Sequence, residues 1–177
     1  HEFFAASMSM ELSNQKKLSE FYEELKRLSI NIIRPDINKC YADFSSDGKN
    51  FLYALGAIKN VGFEAISKIV EERSKNGKFN DLTDFIKRVN PKDINKLQLE
   101  GLVKAGAFDN LNSNRQTLYN SIPNIILKSK NIFENNSANQ IDLFKEENDV
   151  TYLDVIEDWN VDIKLSKEFE TLGFFIS

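Results

Sequence analysis

The sequence predicts a mainly α-helical fold that carries one small β-hairpin and is followed by a flexible linker. Three observations predict it. Apolar residues recur at spacings of three and four through most of the first 127 positions; residues 41 to 55 instead form two short extended runs about Ser45-Ser46-Asp47-Gly48; and from Lys128 to Val150 no apolar period survives. The 177 residues suffice for one sizeable domain or two small ones. Content of 41% hydrophobic and 11% aromatic residues supplies a core and excludes a wholly disordered chain. One cysteine, Cys40, and one histidine, His1, exclude a disulfide framework and a Cys/His zinc site. No apolar run approaches the roughly 18 residues of a membrane span, and the N-terminus lacks the basic-then-apolar layout of a secretory signal. A reduced, cytoplasmic location with no membrane partner is expected. The chain starts at His1 and stops inside the apolar run Phe174-Phe175-Ile176-Ser177, so it reads as an excerpt of a longer protein.

Leu18, Phe21, Tyr22, Leu25 and Leu28 form one apolar stripe behind a Ser13/Asn14 cap, which predicts an amphipathic helix. Pro35 blocks helix continuation across residues 30 to 38, and the two extended runs after it predict the hairpin. Ile66, Ile69 and Val70 share the face of a helix that stops at Asn76-Gly77. Leu82, Phe85, Ile86 and Val89 make a short helix ended by Pro91. Leu99, Leu102 and Val103 make another that ends near Gly106, and the next starts at Asn112 or Ser113 and runs through Leu118, Tyr119 and Ile122, with Pro123 expected to kink it. The resulting division is 1–54, 55–127, a linker over 128–150, and a closing stretch 151–177.

Net charge is −4, yet it is unevenly spread: −1 over residues 1–54, +5 over 55–130 and −8 over 131–177. A basic middle with an acidic tail suits a nucleic-acid-binding module joined to an acidic peptide, and equally a solvated charged surface. Within the basic part there is a weak internal repeat. Ile58-Lys59-Asn60-Val61-Gly62 leads into one helix, and Val103-Lys104-Ala105-Gly106-Ala107 leads after a turn into another. Each reads as helix, tight Gly turn, helix, the pattern of a helix-hairpin-helix element. Such a turn exposes backbone N–H groups and the next helix adds its positive end, so phosphate is the natural ligand and bases go unread. Lys59, Lys104 and Arg115 add charge. The competing reading is that these glycines only let two helices pack closely.

A second constellation lies in the linker: Gln140-Ile141-Asp142-Leu143-Phe144, an amide followed three residues later by two large apolar side chains. Docked in a groove, Leu143 and Phe144 contribute roughly 1.5 to 3 kcal/mol each, from which ordering the peptide subtracts. The competing reading is an apolar patch folded back on its own protein.

Catalytic patterns are scarce. No two aspartates show the i, i+2 spacing of a two-metal nucleotidyl-transfer site, and no GxxxxGK loop is present. Asp154, Asp158 and Asp162 lie four apart, as on a solvated helix face. Asp81 stands about where a helix-hairpin-helix DNA glycosylase places its catalytic aspartate, but the hairpin continues Phe63-Glu64-Ala65 with no nucleophilic lysine.

The stretches HEFFAASMSM (1–10), LKRLSINIIRPDIN (25–38), ALGAIKNVG (54–62), INKLQLEGLVKAGAFDNL (94–111), NRQTL (114–118), QIDLF (140–144) and ETLGFFIS (170–177), in this order, resemble the alpha-subunit family of bacterial replicative DNA polymerase III. The resemblance implies a distal fingers segment over 1–54, a tandem helix-hairpin-helix module over 55–127, the internal sliding-clamp-binding peptide, and a lead-in to an OB-fold domain over 151–177. It implies DNA contacts at Lys59, Asn60, Val61 and Gly62, and at Lys104, Ala105, Gly106, Ala107, Asn114 and Arg115. Clamp contacts fall on Gln140, Asp142, Leu143 and Phe144. Asn60 stands where such hairpins carry a first glycine, a departure expected to weaken the approach to the phosphate backbone. The family's polymerase aspartates lie outside this chain, so no catalytic residue is expected here and no cofactor, with magnesium implied only for the parent enzyme. The expected partners are duplex DNA, the sliding clamp and, through the parent, other replicase subunits. A helical protein-interaction segment without DNA contact is the alternative from another class.

Overall fold

The computed structural model describes residues 2–137 and 153–176. Asn14 caps the helix the sequence predicts: its side chain accepts from the Lys17 amide, and α2, Gln15–Arg27, buries Leu18, Tyr22 and Leu25 along one stripe. Each such leucine is worth roughly 1.5–3 kcal/mol on burial. A helix with no prior signal in its spacing, α1 (Glu2–Ser9), precedes it and buries Ala5 and Met8.

The hairpin forms as β2 (Ser45–Ser46) antiparallel to β3 (Asn50–Leu52), with Asp47 accepting from the Lys49 and Asn50 amides in the turn. The sequence reading omitted a third strand, β1 (Asn31–Ile33), which lies parallel to β3 with Ile32 opposite Phe51. Strand β1 is only three residues long and draws its hydrogen bonds from a partner far along the chain, so no local period announces it.

A single 3-10 turn, Leu55–Ala57, follows, then α3 (Phe63–Asn76), α4 (Leu82–Arg88), α5 (Lys96–Lys104) and α6 (Arg115–Ser137). The stops fall as the sequence implies. Gly77 takes a positive φ of 85° after α3; at the helix starts, where the sequence reading named no cap, Asp81 caps α4 and Asn95 with Gln98 forms a capping box on α5. Two expectations are corrected here. The first arm of the first hairpin is only the 3-10 turn. The helix assigned to end near Leu127 is continuous through Pro123 to Ser137, so the first part of the expected 128–150 linker is helix, while 138–152 lie outside the described residues.

The closing stretch packs back onto the helices before it. Residues 153–160 run as an extended coil back onto the start of α6, with Trp159 against Tyr119 at 5.4 Å between ring centroids, and α7 (Val161–Leu172) packs on α5. Leu172, Phe174 and Ile176 enter the same core as α1, α2 and the sheet, and Phe174 lies 4.6 Å from the Tyr22 ring. Asp154 and Asp158 stand in the coil and Asp162 in α7, so the three share no helix face. Among the described residues no helix is long and apolar enough to cross a membrane.

Candidate nucleic-acid interface

At the first hairpin two residues carry left-handed backbone. Asn60 has φ of 66° and Gly62 has φ of 79°. Asparagine tolerates this region better than any other residue with a side chain apart from aspartate, so Asn60 supplies the turn a glycine would supply, and the expected weakening at this position does not arise from the backbone. Gly62 is needed for its φ, since a Cβ there meets nothing nearer than the Gln98 amide at 3.9 Å. The chain then enters α3 with no side-chain cap, leaving the positive end of a 14-residue helix open beside the exposed Lys59, Asn60, Gly62 and Phe63. The Lys59 ammonium has no ion pair among the described residues, and with Lys16 of α2 it lines a groove of ≈ 560 Å³ whose rim also holds Glu20 and Glu170. Lys16 has no sequence signal beyond its charge. The turn is held from behind: Val61 is fully buried, its carbonyl accepts from Gln98 Nε2 at 2.7 Å, and the Lys59 amide donates to the Thr171 carbonyl at 3.0 Å. Helix α5 can cross here because position 101 is glycine; a Cβ would lie 2.9 Å from the Lys59 carbonyl oxygen.

The second hairpin has the same outline and the opposite accessibility. Gly106 has φ of 77°, but its amide donates to Val103 O at 3.0 Å and the Ala107 amide to Leu102 O at 2.9 Å, a Schellman closure of α5. The Ala105 amide is likewise bound to Gly101 O, so residues 105–107 offer no free donor, and Ala105 and Ala107 are buried. Arg115 is not a surface cation. Its side chain is 7% exposed, bidentate to Asp109 at 2.9 and 2.7 Å, and paired with the 1% exposed Glu168 at 2.9 Å. A Cβ on Gly106 would overlap that guanidinium, so this glycine makes room for an internal ion pair. Lys104 is paired with Glu170 at 2.7 Å and lies over the Tyr119 ring. Asn114 caps α6 through the Thr117 amide and donates its own amide to Ile156 O at 2.7 Å. The Asp158 carboxylate accepts from the Gln116 amide in the first turn of α6 at 3.1 Å. Burial opposes its charge, yet the Lys164 ammonium at 2.5 Å and the Gln116 and Trp159 amides hold its pKa below the ordinary 3.8.

The ten residues assigned to DNA therefore divide. Lys59, Asn60 and Gly62 share one open turn, with Val61 behind them in the core, whereas Lys104, Ala105, Gly106, Ala107, Asn114 and Arg115 are turned inward or covered by 153–172. That cover escaped sequence reasoning because its carboxylates looked like solvated charge. Asp81 caps α4, accepting from the Asp84 amide at 2.8 Å. Gln140, Asp142, Leu143 and Phe144 lie outside the described residues. Among the described residues no three His, Cys, Asp or Glu side chains gather as metal ligands would.

Two positive-φ turns, each leading into a helix and packed back to back through α5, define a helix-hairpin-helix protein, and the chain belongs to that family, whose helix-hairpin-helix motif matches residues 29–118. Over 99% of its length it is also similar to a segment of DNA polymerase III subunit alpha: 38% identical over 178 residues to that of Caulobacter vibrioides, 36% over 181 residues to that of Borreliella burgdorferi, and 36% over 185 residues to that of Campylobacter jejuni. The chain spans 15–16% of the length of these relatives.

Proposed function

We propose that this chain is the duplex-gripping and clamp-tethering part of a replicative DNA polymerase, acting in the cytoplasm and holding no polymerase chemistry itself. The observation that carries the DNA half is the uncapped start of α3 behind Asn60-Val61-Gly62, with Lys59 unpaired beside it. Open amides on a positive helix end bind phosphate without reading bases, as a polymerase moving over every sequence requires. Lys16 extends the contact along the groove. DNA-directed DNA synthesis, with its magnesium, is the activity of the parent subunit and uses residues beyond this chain.

The tether rests on Gln140, Asp142, Leu143 and Phe144, an amide and two apolar anchors suited to a groove on the sliding clamp. A weak contact to a ring already encircling DNA turns each rebinding into an intramolecular event, so processivity follows without tight binding at either site.

The test is anisotropy of a labelled duplex against salt. With two or three phosphates engaged, log K falls against log salt with a slope of about −2 to −3, and Lys59→Ala reduces the slope by about one. A clamp titration with a peptide spanning 136–147 reads the other half: saturable binding, lost in Leu143→Ala with Phe144→Ala, is the expected result, and equal binding by both peptides removes the tether. The inward-facing second hairpin favours one other reading, a protein-interaction segment without DNA contact, which predicts no salt-dependent duplex binding at all.

A further inference from the structure

At the second hairpin the Ala105, Gly106 and Ala107 amides are spent on α5 carbonyls and Arg115 is bidentate to Asp109, while the further partners of Lys104, Asn114, Arg115 and the first turn of α6 come from one stretch of chain. Asp158 meets the Gln116 amide at the start of α6. The Ile156 carbonyl accepts from Asn114 Nδ2 and Thr117 Oγ1, while its amide donates to Thr117 Oγ1 at 3.0 Å. Glu170 holds Lys104, and Glu168 holds Arg115. Residues 153–176 carry six carboxylates against two lysines. The two halves of this cover differ in kind. Helix α7 is anchored by the buried Glu168 and Leu172, whereas 153–160 is coil, attached to α6 chiefly through Ile156 and Asp158 and the Trp159–Tyr119 contact, with Val155 81% exposed.

We propose that residues 153–160 form an autoinhibitory strap: a carboxylate-bearing segment that occupies the first turn of α6 and keeps that helix end from engaging the duplex held by the first hairpin. This deepens the DNA reading above and rests on it. A carboxylate oxygen accepting from a first-turn amide takes the place and charge of a phosphate oxygen, so strap and backbone phosphate exclude one another. Only the coil needs to move, giving up the Asp158–Lys164 pair; α7, with Glu168 on Arg115, stays in place.

The experiment compares the full chain with Asp158→Asn and with Asp154→Asn, which removes the same charge from an exposed strap residue, and includes Lys59→Ala to read the first hairpin independently. Asp158→Asn is expected to raise duplex affinity about threefold or more and steepen the salt slope by about one, whereas Asp154→Asn keeps the slope of the unmodified chain. Amide exchange gives a second readout that requires no substitution. Saturating duplex is expected to strip protection from the Ile156 amide while that of Leu118 in α6 persists. Equal salt slopes for the two asparagine variants, or Ile156 protection unchanged at saturation, overturn the strap; if Lys59→Ala still weakens binding, the DNA reading survives. If none of the proteins binds duplex, both fall.

Discussion

Replacing Arg115 by alanine separates a structural strut from a DNA contact. The guanidinium and its Glu168 partner are 7% and 1% exposed, so the substitution takes the cationic partner from a carboxylate inside the protein. Breaking a buried pair by removing one partner costs about 3–5 kcal/mol, a large share of the roughly 5–15 kcal/mol that holds a typical domain folded. Asp109 adds little, since its side chain is 41% exposed and water can replace its partner. For a chain of this size the loss lowers Tm by roughly 6–20 °C. Urea unfolding followed by far-UV circular dichroism is the assay, with a lower midpoint and an unchanged slope expected. Arg115→Met combined with Glu168→Leu recovers most of the loss, because an apolar pair of similar volume substitutes for a buried ion pair. A loss below about 1 kcal/mol for Arg115→Ala, the range of an exposed pair, refutes the strut. Weakened duplex binding at unchanged stability would return Arg115 to the DNA surface.

Two shorter predictions concern the turn and acid. Asn60→Gly leaves thermal stability unchanged or slightly higher while Asn60→Ala lowers it by about 1 kcal/mol, since only alanine resists the left-handed φ; a neutral alanine variant contradicts the role given to this residue. Hydrogen bonds from Arg88 and Asn76 hold the Glu72 carboxyl below its ordinary 4.5, and the Lys104 ammonium does the same for Glu170. Lowered folded-state values mean stability that is complete above the unfolded value and lost as pH falls, so the urea midpoint declines below about pH 4.5 and Glu72→Gln flattens that limb. A midpoint that rises on acidification through this range contradicts the assignment.

Helices α2 to α5 were legible in the sequence because their information is local: apolar spacing of three and four, the Ser13/Asn14 cap, and Gly77 and Gly106 as stops; the Asp81 and Asn95 caps, equally local, went unread. The first hairpin was legible for the same reason, although Asn60 had to be seen in its φ before it could be recognised as a glycine substitute. What escaped was nonlocal. Strand β1 exists only by pairing with β3, and the return of 153–176 onto the hairpins depends on Glu168 meeting Arg115 and Asp158 meeting Gln116, neither of which leaves a period in the sequence. Charge counting also misled: the acidic tail read as solvated because unpaired carboxylates and carboxylates aimed at helix ends and buried cations have the same composition.

The bond from the Lys59 amide to the Thr171 carbonyl bears on how the protein is made. During synthesis the first turn and α3 emerge well before α7, and the loop to be closed between them is most of the chain. Closing it costs entropy that short-range helix contacts do not. The helices therefore form early, while the turn waits, one amide unfastened, until α7 docks and brings both hairpins into register in a single late step. A nascent chain halted before α7 would carry all the hairpin residues and none of their final alignment.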